Sequence, residues 1–145
     1  MAITQAIANS FKQQLLEGEH NFGSGDDKFK IALYTSSATL NSATTSFTTG
    51  NEVSNTGQYT SGGGLLVNQA TSLTAGVARA DFADRSFTGV TLTARGALIY
   101  NTSATVANAA VAALDFGADK TATSGTFTIQ FPAFTTAAAI LRISG

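Results

Sequence analysis

The segment Thr91–Asn101 (TLTARGALIYN) constrains the fold more than any other stretch of this chain. Leu92, Ala94, Gly96, Leu98 and Tyr100 alternate with Thr91, Thr93, Arg95, Ala97 and Ile99. Successive side chains of a strand point to opposite faces, so the spacing predicts a strand with one firmly apolar face. Ala97, Leu98, Ile99 and Tyr100 run without a polar break. That predicts a central strand covered on both sides along its C-terminal half.

Strand patterns of the same kind occupy most of the remaining chain. Lys28–Thr35 predicts a strand with Phe29, Ile31 and Leu33 inward and Lys28, Lys30 and Ala32 on the other face. Glu52–Thr60 reads as a short edge segment, and Leu65–Gln69 as the strand that follows Ser61-Gly62-Gly63-Gly64. In Val77–Asp84, Ala78, Ala80 and Phe82 share a face, with a turn at Asp84–Arg85. Ala109–Phe116 is a strongly apolar strand, antiparallel to the central one across the polar link Asn101–Asn108. Gly117–Gly125 reads as a turn with Asp119 and Lys120 at its tip. Thr126–Phe131 then alternates Phe127, Ile129 and Phe131 inward, until Pro132 removes a ladder donor. Ala137–Ile143 is the last strand.

The single helix is expected at the N-terminus, over residues 1–18. Ile3, Ile7, Phe11 and Leu15 recur every fourth residue, and Gly18 is a stop signal. The stripe either packs on the chain's own sheet or is lent to a neighbouring subunit. Ser36–Asn51 holds little but Ser, Thr, Asn, Ala and Gly, with Phe47 as its one aromatic. It reads as a long surface excursion pinned by Phe47, and as a candidate contact region. The expected architecture is one domain over residues 1–145. It is all-β, an antiparallel sandwich or jelly-roll-like barrel of about eight strands spanning 28–143, with the helix in front.

Composition narrows the function. Charged residues are only 12% and the net charge is −1, against about 25% charged residues in ordinary soluble domains. Such a surface meets little electrostatic resistance to self-association. The eight scattered basic residues do not make the cationic patch that counterion release from nucleic acid requires. No Cys is present, which excludes disulfides and thiolate metal sites. The first twenty residues lack a signal-peptide pattern, and no apolar run is long enough to span a bilayer. The chain is expected to be soluble, made in a cytoplasm, and free of membrane.

No catalytic, cofactor or metal constellation emerges. His20, the one histidine, has no nucleophile or orienting acid marked near it, so a surface or capping role is expected. The acids pair as Asp26–Asp27, Asp81 with Asp84, and Asp115 with Asp119, and none continues into a calcium loop; solvated turns are the expectation. The glycine run at 62–64 lacks the spacing and Lys of a phosphate loop, so it reads as a turn or bulge. Asn101-Thr-Ser matches a glycosylation acceptor without a secretory signal beside it. Tyr34, Tyr59 and Tyr100 sit at strand ends, where packing explains them better than sugar stacking. No enzyme activity, cofactor or small-molecule ligand is expected.

The segments ITQAIANSFKQQLLEG, KFKIALYTSSATL, GNEVSNTGQYTSGGG, ARGALIYN, AALDFG followed by DK, and GTFTIQFP resemble a group of small structural proteins of tailed bacteriophages. The resemblance runs from Ile3 to Ile143 and carries no catalytic motif. It implies a virion component. By analogy with small all-β phage proteins that cement capsids, it implies a decoration protein, a homotrimer seated on the major capsid protein at the capsid surface. A tail or neck component, or a host- or glycan-binding module of the virion, is the competing expectation.

Overall fold

The computed structural model describes residues 2–67, 70–134 and 138–144. Its elements in chain order are β1 (Ala6–Ile7), α1 (Asn9–Leu16), β2 (Phe29–Tyr34), β3 (Gly64–Leu65), β4 (Ala70–Thr74), β5 (Val77–Asp81), β6 (Arg85–Asn101), β7 (Ala109–Ile129) and β8 (Leu141–Ile143). They form two antiparallel sheets, a five-stranded one in the order β1-β7-β6-β2-β3 and a three-stranded one in the order β4-β5-β8. The class is all-β with one short helix, as the alternation predicts.

The central strand lies where the sequence places it. Val90, Leu92 and Ala94 are buried between exposed Thr91 and Thr93, and from Gly96 to Asn101 every residue is buried. The change coincides with pairing. Only Gly96–Asn101 gains β2 as a second neighbour, while Arg85–Ala94 pairs with β7 alone.

The turn expected at Gly117–Gly125 does not form. Residues 109–129 are one strand, and Lys120, Thr121 and Ala122 pair with Ala94, Thr93 and Leu92. Because β6 continues back to Arg85, these residues find ladder partners that two short strands would have left unmade. The glycine and acid signal is instead spent on a wide bulge. Residues 116–119 fall between the pairs Gly96↔Asp115 and Ala94↔Lys120, opposite Arg95. There Gly117 takes φ 81°, and the Asp115 carboxylate accepts from the Gly117 N–H at 2.9 Å and from Arg95 Nε at 3.3 Å. A bulge of this kind bends the ribbon without ending it.

The helix is shorter than expected, Asn9–Leu16 rather than 1–18. Ile3 bridges Leu40 and β1 pairs Ala6 and Ile7 with Ala113 and Ala112 of β7. A spacing of four keeps Ile3 and Ile7 on one face of a strand as well as of a helix, so the pattern alone does not separate the two. The open edge of β7 decides it, because extended residues there satisfy its backbone groups. Within the helix, Phe11 is buried and α1 packs on β7.

Ser36–Asn51 is not a free excursion. Thr4 N–H donates to Leu40 O, Asn9 N–H to Ser42 O, Phe47 N–H to Asn108 O and Ala110 N–H to Thr45 O. Ala38 and Leu40 are buried, and Phe47 stacks on Tyr100 with ring centroids 4.7 Å apart. Backbone bonding holds the segment where side chains are too small to do so. Glu52–Thr60 forms only isolated bridges, Tyr34↔Glu52 and Thr56↔Tyr59. The strand expected over Leu65–Gln69 is reduced to Gly64–Leu65 and its end lies outside the described residues; so does Ala137 at the start of the last strand, which runs Leu141–Ile143. β4 was not legible. It joins β5 through Ala75 (φ 51°) and Gly76 (φ 77°), with Thr74 paired to Val77. Two positive φ angles make the primed two-residue turn that suits strand twist, but Ala-Gly is a weak signal for it.

Candidate functional site

A groove of about 1060 Å³ opens between α1 with the turn after it and the face of the β4-β5-β8 sheet. Phe11, Leu15 and Leu16 form one wall, His20 and Phe22 its base, and Leu73, Ala78, Leu141 and Ile143 the opposite side. Leu16 is 90% exposed, Leu73 73% and Ile143 59%. These are the three most exposed large apolar side chains among the described residues, and all line this one groove. Scattered exposed leucines are ordinary, but a converging set is a candidate contact surface.

The base of the groove is fixed by an aromatic and polar cluster. Phe22 stacks on Phe29 at 4.4 Å, Phe29 meets Phe82 at 5.5 Å, and Phe11 lies 4.7 Å from the His20 ring. His20 is buried, not capping or at the surface as expected. Its tautomer follows from its neighbours. Asn101 Oδ1 accepts from the Ser103 N–H at 2.8 Å, so Asn101 Nδ2 is the group facing Asp27 Oδ2 at 2.8 Å and His20 Nδ1 at 3.0 Å. An amide NH₂ only donates, so His20 Nδ1 accepts and its Nε2–H donates to Gln14 Oε1 at 2.8 Å. Burial lowers the His20 pKa from its ordinary 6.5, partly opposed by the charges of Asp27 and Glu19. The ring is neutral, with both nitrogens used to tie the helix exit to the end of β6.

The other sequence candidates are structural. Asp27 also accepts from the Asn21 N–H at 2.9 Å, so it holds a turn rather than facing solvent. Asn101 is fully buried with its amide engaged, which closes the glycosylation acceptor. Asp81 is buried and accepts from the Phe82 N–H at 2.9 Å, with its pKa raised by burial; Asp84 accepts from the Phe131 N–H at 2.8 Å. Asp115 sits in the bulge beside Arg95, and Asp119 is exposed on it. Among the described residues, no three His, Asp or Glu side chains converge as a metal site.

The glycine run does cradle an anion, but the anion is the chain's own. Glu52 accepts from Ser61 Oγ at 2.8 Å, the Gly62 N–H at 2.7 Å and the Tyr59 hydroxyl at 2.7 Å. Gly63 takes φ 81°, and a Cβ there would also run into the Ile31 backbone, so only glycine fits on both counts. All three tyrosines are buried and hydrogen-bonded: Tyr34 donates to Thr48 O at 2.6 Å, Tyr59 accepts from the Leu33 N–H at 2.8 Å, and Tyr100 donates to Gly62 O. Burial raises each phenol pKa, that of Tyr100 to about 12. None offers a stacking face.

Of the two contact regions expected, α1 contributes Phe11, Lys12, Leu15 and Leu16 to the groove, and Ser36–Asn51 contributes nothing to it. The opposite side of the groove was missed, because Leu73 stands singly among polar neighbours, Ile143 closes a run read only as a strand, and only the second sheet brings them together. Comparison with protein-family models, with curated proteins and with solved structures returned no match for this chain.

Proposed function

We propose that this protein is a structural component of a tailed-phage virion, a decoration protein that self-associates and clamps neighbouring capsid subunits at the shell surface. The observation that carries the reading is the convergence of Leu16, Leu73 and Ile143 on one open groove. In a lone chain that surface costs hydration free energy, and in an assembly it is covered. The low charge supports the same reading, since 12% charged residues leave little repulsion between repeated copies. A lattice of such contacts holds firmly even when each is weak. The reading assigns the chain no catalysis, and the segment-wise resemblance to phage structural proteins supplies the setting.

The test is sedimentation velocity on the purified chain, followed by mixing with capsids of the phage that encodes it. A closed oligomer that binds the shell and raises its heat resistance is the expected result. A stable monomer that ignores those capsids would refute the proposal.

A further inference from the structure

Every charged side chain lining the groove is cationic: Lys12 on α1, Arg79 on β5 and Arg142 on β8. No Asp or Glu lines it among the described residues. Arg79 is the most informative of the three. Among the described residues its guanidinium donates to neutral acceptors, Ser72 Oγ at 2.7 Å, Thr74 Oγ1 at 3.3 Å and Phe134 O at 3.4 Å, and stacks 4.7 Å over the Phe134 ring. Its Nε is buried with no acceptor among the described residues. A half-buried cation held among neutral groups pays a desolvation cost that a carboxylate would offset. Guanidinium is also the side chain best shaped to meet a carboxylate.

From the apolar walls and this uncompensated charge, we infer that the groove receives a segment of a partner protein that alternates apolar side chains with carboxylates, one of which pairs with Arg79. The apolar side chains cover Leu15, Leu16, Leu73 and Ile143, and Lys12 selects the same sign at the rim. This deepens the proposed capsid contact and rests on that reading for the partner's identity, but not for the chemistry of the groove.

Fluorescence anisotropy of the intact chain with a labelled peptide of alternating leucine and glutamate, against its leucine–lysine counterpart, tests it. The acidic peptide is expected to bind at least about tenfold tighter, the scale of one charge-assisted contact. Arg79→Gln should remove most of that preference, and Leu73→Asp should abolish binding with the fold intact by circular dichroism. If Arg79→Gln does not fold, the exposed Lys12→Gln must narrow the preference instead. Equal affinity for the two peptides overturns the inference. So does sodium dodecanoate binding where neither peptide does, which would make the groove a fatty-acid site. Self-association broken by Leu73→Asp without peptide binding overturns it too, by making the groove a contact between copies. Acidic-peptide binding that capsids do not compete away leaves the groove chemistry standing and removes the capsid reading. Capsid binding undisturbed by Leu73→Asp does the reverse.

Discussion

Protonating His20 should loosen the base of the groove, and the structure fixes both the sign and the pH range. Adding a proton to Nδ1 places an N–H against the Asn101 amide 3.0 Å away, which itself can only donate there. Asn101 cannot turn over to accept, because Oδ1 is bound to the Ser103 N–H and Nδ2 to Asp27. The charged groups around the ring, Asp27 and Glu19, favour the proton, yet burial outweighs them and the folded-state pKa lies below 6.5. The unfolded chain therefore binds the proton first as pH falls. Stability is full above about pH 6.5 and declines below it, with a slope of at most about 1.4 kcal/mol per pH unit, until pH passes the folded value. Urea unfolding of the intact chain between pH 8 and pH 5, beside His20→Gln, measures the slope. The variant should be flat where the native chain falls. Nuclear magnetic resonance titration of the His20 ring reads its pKa directly. Identical pH profiles, or a ring titrating at or above 6.5, would sink the argument.

Three further outcomes follow from the packing. Gly63 and Gly76 share nearly the same backbone, φ 81° and 77°, but only Gly63 has the Ile31 backbone against it; on denaturant unfolding Gly76→Ala should cost about 1 kcal/mol and Gly63→Ala about 2 kcal/mol more. Tyr59→Phe removes the buried acceptor of the Leu33 N–H and should cost roughly 1–3 kcal/mol by the same assay. Leu16→Ser, at a side chain 90% exposed, should leave the melting temperature of the dilute chain nearly unchanged, within about 0.5 kcal/mol of stability, while weakening binding of the leucine–glutamate peptide in fluorescence anisotropy.

The candidate site was less legible than the fold. Phe11 and Leu15 belong to an apolar stripe and could be named in advance. Leu73 could not, since it is an isolated leucine in a polar run; Arg79 and Ile143 lie in apolar runs with nothing local to set them apart, and what unites the three is the second sheet. His20 gave no local sign of burial, because the polar partner that takes its Nδ1, Asn101, lies 81 residues away in the chain.

What the sequence determined by itself was the strand periodicity, hence the class: side-chain alternation is local, and residues 28–35, 91–101 and 126–131 carry it without help. What only the tertiary structure decided was how far each strand runs and what each edge meets. Ala6 and Ile7 extend along β7 because an open ladder lies beside them, and residues 117–125 stay in β7 because β6 continues opposite. Pairing between distant segments satisfies backbone groups that local propensity leaves unassigned, and that pairing also assembles the groove.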